Sequence, residues 1–210
     1  MSTTPPYADV HRLLAGKAAL IFDFDGTIAE TNPLHARAFE ETLAPLGVTA
    51  DYPSIAGLRT QEAILHCLRT EGRSKADFDL PALVAEKQRR ARKLIAEQLD
   101  PIPAVEAFLV RARSRFGMAL VTSGSCSTVS IAQHMLGYDG WFDPIVCAED
   151  VPHAKPAPDG FIKALAAMRV RPEQALVFED TAFGFEAARA AGLAVVDASS
   201  LNWSNAVANI

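Results

Sequence analysis

Five short apolar runs, at residues 18–22, 118–121, 144–147, 175–178 and 194–196, constrain this chain more than any other feature. Each is too short for a helix and lacks a polar face, as expected of strands buried on both sides. Amphipathic stretches with helical spacing lie between them, at about residues 105–115, 128–136, 159–168 and 183–191. This strand–helix alternation predicts an α/β fold: a doubly wound, Rossmann-like parallel sheet with helices on both faces.

Residues 31–101 break the rhythm. They carry helical patterns at 33–46, 60–71 and 81–99, with no strand among them. Pro53, Gly57 and Gly72 punctuate the stretch, and Asp100-Pro101-Ile102-Pro103 reads as a stiff return linker. The expected organisation is an α/β catalytic core of residues 1–30 and 102–210, with a helical cap domain at 31–101 inserted after the first strand. The last of these helices is basic, through Lys87, Arg89, Arg90, Arg92 and Lys93, which reads first as a solvated face.

Half of the 210 residues are hydrophobic, enough to bury the core of one domain with an insertion. The net charge of −5 is spread among interspersed charges, with no basic tract to suggest nucleic acid. The apolar runs are far shorter than a membrane span. Residues 1–9, polar with two prolines, do not read as a signal peptide. Cys67, Cys126 and Cys147 are odd in number and lack metal-ligand spacing, so they read as reduced thiols of a cytoplasmic protein. Oligomeric state is not legible, and a monomer is compatible with everything in the chain.

In an open parallel sheet, ligands bind beyond the carboxyl ends of the strands, so the residues following each run matter most. Asp23-Phe24-Asp25-Gly26-Thr27 follows the first run. Carboxylates at i and i+2 leave a strand on the same side, where they repel unless a cation or a shared proton intervenes. Thr122-Ser123-Gly124-Ser125 follows the second and leads into a helix, offering hydroxyls and free amides to an anion. Lys155 lies just before the prolines at 156 and 158, and Glu179-Asp180-Thr181 follows the fourth run. Each piece alone has a plainer reading, as a helix cap, a turn former or a surface lysine. Together they set four carboxylates, a lysine and an anion site along one sheet edge. Oxygen ligands of that kind suit Mg²⁺, and the set points to phosphoryl transfer.

These segments, in this order, resemble the signature motifs of the haloacid dehalogenase superfamily. Asp23 to Thr27 match its DxDGT motif, Thr122 (or Ser123) its strand-end hydroxyl, Lys155 its third motif, and Glu179-Asp180 its fourth. The resemblance spans residues 18–197. The insertion resembles the family's small four-helix cap. Glu30-Thr31, His35 and Gly57 within it are similar to sugar-phosphate members of the β-phosphoglucomutase-like subgroup. The second half is similar to fructose-1-phosphate phosphatases.

The resemblance implies a mechanism. Asp23 attacks phosphorus to form an aspartyl-phosphate that water then hydrolyses. Asp25 protonates the leaving alkoxide and deprotonates that water. Mg²⁺ is held by Asp23, the Asp25 carbonyl and Asp180, with Glu179 a ligand or a support behind the ligands. Thr122, Ser123 and Gly124 receive the phosphoryl oxygens, and Lys155 offsets charge. His35 is expected mainly to pack or hydrogen-bond at the cap hinge, Lys87 resembles a cap lysine facing the site, and Arg59 is a candidate substrate contact. The implied substrate is a small phosphate ester such as a sugar phosphate.

The main rival is a phosphosugar mutase. Thr27 and Ser125 argue against it, because related mutases carry an apolar residue and a phosphate-binding lysine at those positions. Their cap arginine aligns with Thr60, with neighbouring Arg59 as a substitute. A binding protein that merely kept the fold is the non-enzyme alternative.

Overall fold

A computed structural model of the chain describes residues 10–208 and 210, so the polar segment 1–9 lies outside the described residues. Strands β1 (Ala19–Phe22), β2 (Gly117–Val121), β3 (Ile145–Val146), β4 (Ala175–Glu179) and β5 (Ala194–Asp197) form one parallel sheet in the order β3-β2-β1-β4-β5. The doubly wound α/β expectation holds. The third strand is shorter than the apolar run at 144–147 suggested, because only Ile145 and Val146 pair with β2.

Side-chain alternation along the central strands divides the core into two unlike layers. Leu20 and Phe22 of β1, with Leu176 and Phe178 of β4, face helices α6 (Pro103–Ala112), α7 (Cys126–Leu136) and α10 (Trp203–Ala208). This layer is aromatic: Phe22 stacks on Phe178 with ring centroids 5.0 Å apart, and Phe178 stacks on Trp203 at 5.5 Å. Ala19, Ile21, Ala175 and Val177 point the other way, towards α8 (Asp159–Met168) and α9 (Ala182–Ala190). Small residues there let the helices approach closely. Helix α10 and the short α1 (Val10–Leu14) had no counterpart in the sequence reading.

The insertion carries α2 (Asn32–Leu43), α3 (Tyr52–Ile55), α4 (Thr60–Thr70) and α5 (Leu80–Gln98). Phe39, Leu43, Ile55, Ile64 and Leu68 pack into a cluster of their own. Leu34, Ala91, Leu94 and Ile95 instead join the aromatic layer of the sheet, so α2 and α5 bridge the two regions. Helix α3 forms across Pro53, where only a break was expected, since proline is tolerated in a first helical turn. On α5, Arg89 and Lys93 are exposed and Arg90 pairs with Glu86 and Glu41, as a solvated basic face should. Lys87 is the exception: it is buried. The two connecting segments run side by side, with Ala29 bridged to Pro101.

Candidate active site

The site begins where β1 ends. The Asp23 N–H still donates to the Phe178 carbonyl at 2.9 Å, so the strand holds this residue firmly. Phe24 is buried in the aromatic layer, which turns Asp23 and Asp25 together to the opposite side. Gly26 then reverses the chain with φ of +79°, and a Cβ there would fall 2.1 Å from Asn32 Nδ2 and 2.2 Å from Asp180 Oδ2. Only glycine meets both demands. The Asp180 carboxylate is held from both sides, by Thr27 Oγ1 at 3.1 Å and Asn32 Nδ2 at 3.3 Å.

Lys155 is 6% exposed and donates to Asp23 Oδ1 at 2.5 Å and to Glu179 Oε1 at 2.7 Å. The other Glu179 oxygen accepts from the Thr181 N–H at 2.6 Å and the Thr181 hydroxyl at 3.0 Å. That carboxylate sits against the first turn of α9, where a Cβ on Gly184 would be 1.6 Å from Glu179 Oε1. Both Glu179 oxygens are therefore engaged in holding Lys155 and Thr181.

One lysine among so many carboxylates leaves a surplus of negative charge. Burial weighs against the charge on Lys155, but the attraction of Asp23 and Glu179 outweighs it and keeps the ammonium firmly charged. Burial pushes Asp23 well above the usual carboxylate range; Lys155 opposes the shift, while Glu179, Asp180 and Asp25 add to it. Asp180 rises to about 6, through burial and then the charge of Glu179. Carboxylate oxygens of Asp23, Glu179 and Asp180 lie within 4.8 Å of one another. A surplus of hard oxygen donors is what a Mg²⁺ site requires, so these residues fit that ion.

Asp25 faces different partners. Burial again opposes its charge, but the His35 ring, which hydrogen-bonds to it at 3.1 Å, the Thr31 hydroxyl at 2.5 Å, and Lys87 bring it down to about 2. Lys87 Nζ lies 2.9 Å from His35 Nδ1 and 4.2 Å from the centre of the Phe39 ring. A charged lysine has only donors, so Nδ1 accepts and Nε2 carries the proton offered to Asp25. Burial lowers Lys87 to about 8, with the Asp25 charge resisting.

At the start of α7, the Gly124 N–H donates to Thr122 Oγ1 at 2.9 Å, and Ser125 caps the helix. Thr122, Ser123 and Gly124 line the same cleft as Asp23, Asp25, His35 and Lys87. Ser123 Oγ also donates across the cleft to the Gly57 carbonyl at 2.6 Å. Arg59 lies outside this cleft, in an adjoining cavity, with its guanidinium on the carbonyls of Val151 (2.6 Å) and Pro152 (3.2 Å). The sequence reading missed Tyr52, whose hydroxyl donates to Asn32 Oδ1 at 2.9 Å, and Asn32 itself. An Asn-Pro pair signals a helix start, which hides a second role for the asparagine.

A family model described as haloacid dehalogenase-like hydrolase matches residues 20–198. The chain belongs to that family. It is similar to the fructose-1-phosphate phosphatase YqaB of Escherichia coli, with 37% identity over 189 residues, covering 86% of this chain and 95% of the relative. Among solved structures, CbbY from Rhodobacter sphaeroides in complex with phosphate superposes with a TM-score of 0.76 at 32% identity, covering 85% of this chain and 84% of that one. A β-phosphoglucomutase from Clostridium difficile reaches a TM-score of 0.77 at 22% identity, covering 88% and 92% of the two chains, which speaks to the fold alone. With named phosphatases among its relatives, the chain is a phosphoric monoester hydrolase.

Proposed function

We propose that the chain hydrolyses a sugar monophosphate through an aspartyl-phosphate formed on Asp23, with Mg²⁺ as cofactor. The observation that carries this reading is the cleft itself. Asp23, held by Lys155, stands beside the hydroxyls and amides of residues 122–124, and Asp25 stands on the same side in contact with His35.

Asp23, Asp180 and the backbone carbonyl of Asp25 would hold the Mg²⁺, and Glu179 acts from behind by fixing Lys155. When bound, the ion offsets the negative charge of the carboxylates and of the phosphate. Thr122 Oγ1, Ser123 and the Gly124 amide take up the phosphoryl oxygens, and Lys155 adds a positive charge beside them. The Asp23 carboxylate attacks phosphorus. Asp25, ionised in the resting cleft, takes a proton from solvent as a phosphate dianion arrives next to it, since like charges raise its pKa. It gives that proton to the leaving oxygen and returns to the carboxylate form, which deprotonates the water that hydrolyses the intermediate. Residues 31–101 act as a cap over a core formed by 1–30 and 102–210, closing the cleft against bulk water.

The far wall favours a neutral sugar end. Tyr52, Thr60, Gln88 and Thr128 offer hydroxyls and an amide, while Phe39 and Leu58 offer apolar surface. No arginine lines this cleft among the described residues, and Lys87 is engaged by His35. A second phosphate, which a mutase must hold, finds no free cation there, and Arg59 is turned to backbone carbonyls. The three thiols are free, which agrees with a cytoplasmic compartment, and no helix among the described residues is long and apolar enough to cross a membrane.

The test is a phosphate-release screen over sugar phosphates with Mg²⁺, ranked by kcat/KM. Hexose and pentose monophosphates should lead, sugar bisphosphates should trail, and Asp23→Asn should lower turnover by several orders of magnitude while the protein stays folded. Glucose 6-phosphate formed from glucose 1-phosphate primed with glucose 1,6-bisphosphate, without free phosphate, would establish the mutase instead. An inert wild-type protein across the panel would overturn the phosphatase reading.

A further inference from the structure

A second cluster of ligating groups lies behind the phosphate-binding loop, outside the cleft. Cys126 opens α7, Cys147 follows β3, and Glu149 lies in the 3₁₀ turn Ala148–Asp150. In the sequence the cysteines are twenty-one positions apart, with no metal-ligand spacing. Parallel pairing of β2 with β3 brings them together. Their sulfurs and a Glu149 oxygen all lie within 4.8 Å of one another, and Asp150 Oδ2 is 3.7 Å from Cys126 Sγ.

We propose that Cys126, Cys147 and Glu149, with Asp150 available as a fourth ligand, form a site for a borderline or soft divalent cation of the zinc and cadmium type. The ion differs from that of the oxygen-lined site at Asp23, because thiolates select soft metals and carboxylates select Mg²⁺. Tetrahedral zinc with sulfur at about 2.3 Å and oxygen at about 2.0 Å sets neighbouring donors roughly 3.5–3.8 Å apart. The cluster meets that spacing after closing by at most about 1.3 Å.

The surroundings hold both thiols in place. Cys147 is buried, its sulfur accepts the Asp150 N–H, and the Asp150 carboxylate accepts the Cys147 N–H at 2.9 Å. This reciprocal pair fixes the sulfur and supplies a donor to its negative form. The Cys126 N–H donates to Glu149 Oε2 at 3.0 Å, which keeps that carboxylate beside the exposed thiol. Lys163 balances only Asp150, at 3.3 Å. Burial, the contact between the two sulfurs, and the nearby carboxylates push the Cys147 thiol up, so without a cation the pair stays protonated. Raised thiols are poor nucleophiles, which disfavours a redox-reactive pair. Binding replaces the two thiol protons with one M²⁺ and releases both to solvent.

The position gives such an ion leverage. The Ala148 N–H donates to the Gly124 carbonyl at 3.0 Å, and the carbonyls of Val151 and Pro152, just beyond Asp150, hold Arg59 of the insertion. A bound ion would clamp the phosphate loop to the segment that latches the helices over the cleft.

Cadmium is the probe, titrated into the full chain at saturating Mg²⁺ with a phosphine as the reductant. Thiolate-to-cadmium absorption should saturate at one equivalent with two protons released, and the melting temperature should rise. Cys126→Ser, at an exposed position, should fold normally, lose about half the absorption and bind roughly tenfold or more weakly. Cys67→Ser, in the separate cluster of the insertion, should match wild type. No absorption in wild type, an unchanged Cys126→Ser titration, or a Cys126–Cys147 disulfide that persists in the phosphine would each overturn the proposal. None of these readouts depends on phosphate release, so they stand apart from the phosphatase test.

Discussion

At the sheet edge, Asp23, Lys155 and Glu179 are each less than a tenth exposed and bound to one another. Across the cleft, the insertion places one buried cation, Lys87, against a histidine and a phenylalanine ring. Both lysines are buried, yet their environments act in opposite senses. Two carboxylates hold Lys155 charged more firmly than water would, whereas burial lowers Lys87 to about 8. Carboxylate partners favour the charge of the lower cation, whereas burial opposes the charge of the upper one. Asp23 and Glu179 are placed by strands fixed on both faces, and Lys155 reaches them from the turn before α8. His35 and Lys87 are instead carried on helices α2 and α5, where burial of the ammonium costs stability.

The largest expected effect breaks the lower arrangement. Lys155→Met leaves Asp23 and Glu179 buried without their cation, and loss of one partner from a buried ion pair costs about 3–5 kcal/mol. In a chain of this size that is roughly 6–20 °C in melting temperature, read by calorimetry, with activity abolished. Mg²⁺ should restore part of the lost stability in this variant, because it offsets the same carboxylates. A melting temperature unchanged by the substitution would contradict the assigned role.

Lys87→Met tests the opposite sign. The folded pKa of about 8 lies below the ordinary 10.5, so the unfolded chain binds the proton more tightly. The charged lysine therefore destabilises the fold at neutral pH, by an amount on the order of 3 kcal/mol, and the penalty fades as pH rises from about 8 to 10.5. The variant should be as stable as wild type or more so at pH 7, with the difference vanishing towards pH 10.5 in denaturant titrations. Its kcat should fall about ten- to a hundredfold, because His35 loses the partner that sets its tautomer towards Asp25. A variant both less stable and fully active would show that the two lysines do not differ in this way.

The sheet region was far more legible in the sequence than the insertion. Apolar runs at 18–22 and 175–178 admit few alternatives, and a carboxylate that follows a strand inherits its position from the ladder, as Asp23 does through Phe178. The residues around the cleft that depend on helix rotation were harder to read. Lys87 was one of five basic residues on its helix, and periodicity alone does not say which one faces inward. Tyr52 comes from a single turn of helix around a proline, a segment with no pattern to read. The pairing of Cys126 with Cys147 was invisible for another reason: it arises from strand adjacency and not from spacing along the chain.

Arg59 joins the two regions, and its replacement should have the smallest effect. Its Nη atoms hold the Val151 and Pro152 carbonyls, while Nε is buried without a partner, so the side chain is a latch with one donor unused. Ser123 Oγ to the Gly57 carbonyl is a second tie between the same regions and survives in Arg59→Ala. The substitution should therefore cost only about 1–2 kcal/mol. Amide exchange should quicken mainly in α3 and α4, leaving the protection of β1 and β4 unchanged. Arg59→Lys should recover little, since an ammonium does not reproduce a planar fork set on two carbonyls. Kinetics separate the latch from the substrate contact expected from sequence. A contact made equally to substrate and transition state would raise KM alone, whereas a loosened latch would alter kcat and KM together by a few-fold under the proposed closure of the cap over the cleft.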